Sequence, residues 1–416
     1  MNPARSIPPL RPTFALIDLD ALAHNVRELR RITSPDAELM CVVKADAYGL
    51  GLVDAAPVCL QYGANRLGVA VFDEAQALRS AGIVAPILVI GPTTPWQAGE
   101  MVRLGVAATV FTLDVAEALS RAALRQDRKA TVHINVDTGM SRIGVRPDAQ
   151  GLDLVQRIAG LPGIEVEGIF THFAAADEAD KSFTHQQLQR YQRFVDEVTA
   201  RGIRVKTRHV ANSAALLDMP EAHLDMVRPG VLIAGIWPSA DVQRRMAAKP
   251  AMSLITHAAY VKQVEPGSHV SYGCTYTAPG AATLATLPLG YHDGYKRGLS
   301  NQASVLIRGQ RAPIRGRVCM DQTIVDVSAI PGASAGDPVV AIGRWGQNEV
   351  SADELASYIG TIGYEIGTTV GKRVPRLYVR EGRPVKVRTE YNSWTVSEWE
   401  DLPWPDVEAT YLATRY

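Results

Sequence analysis

The chain has 416 residues, 47% of them hydrophobic, and its 43 basic residues are balanced by 43 acidic ones. That length can bury a substantial core and exceeds one ordinary domain, although an α/β barrel could absorb much of it. The charge balance excludes both the basic footprint of a nucleic-acid binder and attraction to an acidic membrane surface, so a small-molecule partner is expected.

From Phe14 to about Met246, short β-branched runs alternate with segments of period near 3.6. This predicts an α/β fold, a TIM-type (β/α)8 barrel over residues 13–246. The candidate strands are ALIDL, CVVK, RLGVAVF, PILVIG, AATVF, TVHINVD, VEGIFTHF, VKTRHVA and LDMVRPG. Their nearly continuous apolar runs suit strands covered on both faces. Leu22, Val26, Leu29 and Ile32 form one stripe after Asp20, as expected of an outer helix. Beyond Lys249 the texture changes to strands broken by Pro and Gly turns, with no long helix until about Ala352. A mostly β C-terminal domain is expected over 247–385, followed by an extension over 386–416. Trp394, Trp399 and Trp404 in that extension match neither helix nor strand periodicity and are expected to dock on the folded body.

No stretch reaches the roughly 20 apolar residues of a membrane span, and the start, MNPARSIPPLRP, lacks the apolar centre of a secretory signal. The expected location is the cytoplasm. Cys41, Cys59, Cys274 and Cys319 form no C-x-x-C pair, and no H-x-x-x-H occurs, so neither a disulfide framework nor a metal site is indicated. Gly49, Gly51 and Asp54 give G-x-G-x-x-D, which lacks the third glycine of a dinucleotide loop.

Lys44 follows the apolar run CVV directly. A lysine at a strand end is usually a solvated charge, but beside an apolar wall its ammonium loses ground to the neutral amine, which can attack a carbonyl. Arg142, His172, Asn212 and Arg228 also follow predicted strands, and five such residues on one barrel rim suggest a site. ANSAAL carries Ser213 into a predicted helix whose free amides could hold an anion, and VRPGVL offers Gly230 where a backbone can approach a ligand. With a Schiff-base lysine, these loops suggest a phosphorylated aldehyde cofactor.

The motifs VVKADAYG, DTGMSRIG, THFAAADE, ANSAA, VRPG, VSYG, GYHDG, GRVCMDQ, TIGYE and RVPR occur in that order from about Pro12 to Arg380. In this series the chain resembles the alanine racemases, pyridoxal-phosphate enzymes of the barrel class. The resemblance implies that Lys44 carries pyridoxal 5'-phosphate and that Tyr48, Ser213, Gly230, Val231 and Tyr364 contact its phosphate. It implies that Arg142 reaches the phenolic oxygen and Arg228 faces the ring nitrogen. The two bases it implies are Lys44 and Tyr272, the latter supported by His172 and supplied by the partner in a head-to-tail homodimer. Met320 would offer its backbone to the carboxylate of a small amino-acid substrate, and Tyr291 would narrow the entrance.

Three positions depart from the family pattern. Asn135 stands where many members have a carbamylated lysine, so chloride beside Asn135 and Arg142 is expected as a substitute. Leu50 replaces a histidine and Ala234 a tyrosine. The expected activity is racemisation of alanine, supplying D-alanine for peptidoglycan. The alternatives are a racemase of broader specificity, a non-catalytic pyridoxal-phosphate carrier, and a barrel-type amino-acid decarboxylase. Cys319 superficially permits the last, which the lack of a glycine-rich phosphate loop disfavours.

Overall fold

A computed structural model describes residues 11–390 and the short strand 393–395. They fall into two compact units, Leu22–Lys249 and the residues on either side of it. Trp399 and Trp404, with the side chain of Trp394, lie outside the described residues.

The chain begins with strand β1 (Phe14–Asp18) and the helix Leu19–Ile32. The Asp18 carboxylate accepts the amides of Asp20 and Ala21, which starts the helix. Eight parallel strands follow: β2 (Glu38–Val42), β3 (Arg66–Val69), β4 (Ile87–Val89), β5 (Ala107–Val110), β6 (Ala130–Asn135), β7 (Ile164–Phe170), β8 (Thr207–His209) and β9 (Met226–Val227). They pair in chain order from β2 to β8, and β9 joins the free side of β2. Between β8 and β9, Asp225 donates to the Arg208 carbonyl at 3.1 Å and Arg228 to that of Ala211 at 2.9 Å, drawing the barrel nearly closed. Inside, Met40, Leu88 and Met226 form a buried apolar cluster. Gly168 leaves room for His133, because a Cβ there would lie 2.2 Å from the His133 ring. The barrel thus carries a polar filling beside its apolar one.

The second unit contains β10 (Met252–His257), β11 (Tyr260–Val264), β12 (His269–Val270), β13 (Tyr276–Thr277) and β14 (Ala282–Leu287). It continues through β15 (Ser304–Ile307), β16 (Gln310–Pro313), β17 (Thr323–Asp326), β18 (Pro338–Trp345) and β19 (Asn348–Val350). It ends with β20 (Arg376–Arg380), β21 (Arg383–Arg388) and β22 (Ser393–Thr395). One placement differs from the sequence reading. ALIDL is not a barrel strand: β1 pairs antiparallel with β10 and parallel with β20, inside the sheet of the second unit. Its apolar run suits either sheet, and strand partners hundreds of residues away decide between them.

Asp293 anchors this unit. Its wholly buried carboxylate accepts from Arg11 at 2.5 and 3.2 Å, from Arg373 at 2.7 Å and from the Gly290 amide at 3.0 Å. Burial alone would favour its acid form, yet these donors hold the pKa below the ordinary carboxylate value. Replacing Asp293 with Ala leaves two guanidiniums without their shared anion. It is expected to cost about 3–5 kcal/mol, read as a lower denaturant midpoint of the full chain. An unchanged midpoint would show that the cluster contributes no net stability.

Candidate active site

The strand β2 delivers Lys44 to the rim of the barrel, and the backbone then turns the wrong way for L-residues. Ala45, Asp46 and Ala47 have φ of 54° and ψ between 44° and 51°, and Tyr48 has φ of 57°. Left-handed helical geometry costs roughly 1–2 kcal/mol per residue, so the surroundings must enforce it. Glu74 does part of this, one oxygen accepting the Ala45 amide at 2.6 Å and the other the Ala70 amide at 2.8 Å. The Asp46 carboxylate accepts the Leu52 amide at 2.7 Å. The turn buries Tyr48 while Lys44 remains at the solvent edge. Although that tip is exposed, the surrounding walls desolvate the ammonium and lower its pKa. The guanidinium of Arg142 lowers it further, and Glu74 opposes both. The neutral amine is therefore more accessible than in a free lysine.

Tyr48 turns towards Gly230, where a Cβ would lie 2.0 Å from the phenolic oxygen, so only glycine fits. The Gly230 amide donates to Ser213 Oγ at 2.9 Å. Ser213 opens the helix Ser213–Asp218, whose Asn212 cap accepts the Ala215 amide at 3.0 Å. Val231 begins the 3-10 turn Val231–Ala234. Tyr48, Ser213, Gly230 and Val231 are thereby gathered into one small cradle.

Arg228 is buried immediately after β9. Its Nη1 donates to His209 Nδ1 at 2.9 Å, and Nη2 reaches the carbonyls of Thr171 at 2.8 Å and Val210 at 3.3 Å and His172 Nδ1 at 3.3 Å. Among the described residues nothing accepts from its Nε. A guanidinium only donates, so Nδ1 of His172 must accept, leaving the His172 proton on Nε2. Burial first, then the charges of Arg228, Arg142 and Lys44, push the His172 pKa down to about 3. His172 is thus a neutral donor at working pH. Lys44, Arg142, His172 and Arg228 follow the parallel strands β2, β6, β7 and β9, so all four stand at the same end of the barrel.

Arg142 lies exposed in the loop after β6, and buried Asn135 ends that strand. No carboxylate pairs with Arg142, and no hydrogen bond engages the Asn135 side chain, among the described residues.

The remaining sequence-predicted residues belong to the second unit. Tyr272 sits in the loop joining β12 to β13, 70% exposed. Ser271, at φ of 63°, donates its hydroxyl to the Arg317 carbonyl at 2.6 Å, and it lies 3.4 Å from Cys319 Sγ. The Tyr291 amide donates to the Cys319 carbonyl at 2.9 Å and the His292 amide to that of Met320 at 3.0 Å. Gly290 permits this contact, since a Cβ there would lie 2.4 Å from the Met320 backbone. Tyr272, Tyr291 and Met320 thus share one exposed surface, and the Met320 amide has no acceptor among the described residues. Tyr364 lies elsewhere in this unit, in the helix Gly363–Thr368.

The sequence reading missed His133, Glu167 and His209, which continue inward from Arg228, and Glu74, which braces the turn. The available signal was a histidine next to apolar neighbours, on both sides for His133 in VHI and on one side for His209 in RHV, placing an imidazole inside a covered strand. Among the described residues no helix is long and apolar enough to cross a membrane, and no cluster could hold a metal ion.

The chain is similar to known proteins along most of its length. Residues 17–238 match the model of the alanine racemase N-terminal domain and residues 251–378 that of the C-terminal domain. An alanine racemase of Desulforamulus reducens is 46% identical over 369 residues, 88% of this chain and 99% of the relative. The solved alanine racemase of Clostridium difficile superposes with a TM-score of 0.88 at 37% identity, covering 92% of this chain and 99% of the other. That of Bacillus anthracis, solved with bound L-Ala-P, gives 0.87 at 38% identity, covering 93% of this chain and 100% of the other.

Because burial depresses the imidazoles of His133, His172 and His209, the unfolded chain takes up protons that the folded chain refuses. Their stabilisation is complete above about pH 6.5 and is lost as pH falls. For His172 the loss is roughly 1.4 kcal/mol per pH unit towards its folded value of about 3. The thermal midpoint should decline between pH 6.5 and 5, and His172→Leu should flatten that decline; a midpoint equally pH-sensitive in both proteins would contradict the assignment.

Proposed function

The chain belongs to the alanine racemase family, and from that premise we infer an enzyme that interconverts L- and D-alanine using pyridoxal phosphate held on Lys44. The observation that carries the reading is the pairing, at one barrel end, of a lysine with a depressed pKa and a buried arginine whose Nε is unengaged among the described residues. The residues present fit the cofactor. Lys44 offers an amine to its aldehyde, while the cradle of Tyr48, Ser213, Gly230 and Val231 suits its phosphate. Arg142 suits its phenolic oxygen, and Arg228 Nε its ring nitrogen.

When bound, the cofactor acidifies the substrate Cα–H by delocalising the electron pair left on carbon. The residues decide what happens next. A guanidinium cannot hand over its proton, so Arg228 leaves the ring nitrogen unprotonated and limits that delocalisation. Prompt return of a proton to Cα is favoured over side reactions. Inversion needs a base on each face, and we assign Lys44 to the D face and Tyr272 of the partner subunit to the L face. A free phenol is ionised only about one part in a thousand at neutral pH. The Nε2–H of His172 can donate to that oxygen and stabilise its anion. This arrangement requires a head-to-tail homodimer. The free Met320 amide would receive the substrate carboxylate, and Tyr291 would limit side-chain size. The product is D-alanine for the bacterial cell wall.

Replacing Lys44 with Ala should abolish both covalent cofactor attachment and racemisation; retained turnover would refute the assignment. Tyr272→Phe should keep the cofactor and lose racemisation by about 10²–10⁴-fold, the usual range for a general base. Asn135 cannot carry a carbamate, so we assign a halide beside Asn135 and Arg142. Crystals grown in bromide should give an anomalous peak there, and a peak accounted for by water alone would sink this assignment.

A further inference from the structure

The contacts of Arg228 continue down the barrel axis. His209 Nε2 lies 2.8 Å from His133 Nδ1, and His133 Nε2 lies 3.0 Å from Glu167 Oε2. Arg66 donates to that same carboxylate oxygen at 2.9 Å and to Glu38 at 2.5 Å. Both imidazoles are almost wholly buried, at 1% and 0% exposure. His209 stacks on Phe170 with ring centroids 4.7 Å apart, and Arg228 covers the same ring at 5.2 Å. A cleft of about 400 Å³ in this region is lined by Arg66, His133, Glu167 and Lys206, so the lower end of the series meets the barrel floor.

The two ends fix every proton between them. Arg228 can only donate, so His209 Nδ1 accepts and His209 carries its proton on Nε2. That proton points at His133 Nδ1, which must accept, leaving the His133 proton on Nε2. The ionised carboxylate of Glu167 can only accept, and it meets that proton. One polarity satisfies every contact, and the opposite polarity would set a donor of His209 against a donor of Arg228. Burial depresses both imidazole pKa values, keeping the rings neutral, while the His133 hydrogen bond and Arg66 hold Glu167 down at about 2. Arg228 itself has no carboxylate within ion-pair distance among the described residues, and burial pushes its pKa down to about 10.

We propose that Glu167 is a positioning residue for Arg228, fixing through His133 and His209 the orientation in which the guanidinium meets the cofactor ring. The proposal rests on the assignment of Arg228 to the ring nitrogen. Glu167 touches neither cofactor nor substrate; its negative charge and acceptor geometry reach Arg228 through two polarised neutral rings.

The first test needs no substitution in the series. In full-length chain labelled with ¹⁵N-histidine, long-range ¹H–¹⁵N correlation should show His133 and His209 as neutral Nε2–H tautomers from pH 6 to 8, with or without cofactor. An Nδ1–H tautomer or an imidazolium at either position would overturn the proposal. In cofactor-loaded enzyme, Glu167→Met removes the acceptor and Glu167→Gln removes only the charge. The Met variant should shift the cofactor absorption band and lower kcat about tenfold with little change in KM, and Gln should lie between it and the parent. In an Arg228→Gln background the same change at Glu167 should add nothing to the band shift. A folded Glu167→Met enzyme with unaltered band and kcat, or equal effects with and without Arg228, would reduce Glu167 to a packing role. A chain that takes up no pyridoxal phosphate would instead sink the cofactor assignment, leaving the tautomer measurement intact.

Discussion

The hydrogen bonds from Arg228 to His209 at 2.9 Å and to the Thr171 backbone at 2.8 Å fix a donor-only group at the end of the barrel. A donor-only group at that position dictates which nitrogen of each neighbouring ring carries a proton. His172 is thereby obliged to present a donor outward and His209 a donor inward. Inside a low-dielectric barrel, such enforced polarity replaces the reorienting dipoles of water with fixed ones. The guanidinium therefore organises the rim of the barrel and its interior together.

The turn after Lys44 uses a different means. Its residues are not glycines, yet they adopt left-handed geometry. Bonds from Glu74 and Asp46 hold the backbone where its own preferences would not. The benefit is directional: Lys44 stays at the rim while Tyr48, four residues on, points back towards Gly230. A right-handed turn would distribute these side chains differently. Holding Lys44 near a strand end rather than in a pliable loop also limits its range of positions.

Much of this was legible in the chain itself. The apolar runs and intervening helical periods marked the barrel, and Lys44, His172 and Arg228 betrayed themselves as polar residues just beyond strands. The turn at Ala45–Tyr48 was not legible, because KADAY contains helix formers and no glycine. His133 and His209 were obscured for another reason. A barrel strand covered on both faces reads as continuously apolar, so a single inward histidine looks like an interruption rather than part of a series. Tyr272 was legible only through the family motif, since its local composition carries no trace of the chemistry assigned to it. The chain segment ALIDL shows the limit of periodicity, since β1 has the texture of a barrel strand and belongs to another sheet.

That misplaced strand has a consequence for how the protein is made. β1 lies between β10 and β20, so the middle of a sheet leaves the ribosome first and both its neighbours arrive much later. The barrel strands form their ladder entirely among segments synthesised in between. During that interval β1 exposes two unpaired edges and an apolar run, the combination most open to wrong partners. The second unit can only be assembled backwards, its last strands closing around its first. A nascent chain stalled between β9 and β10 would therefore hold a complete set of barrel strands together with an orphaned β1.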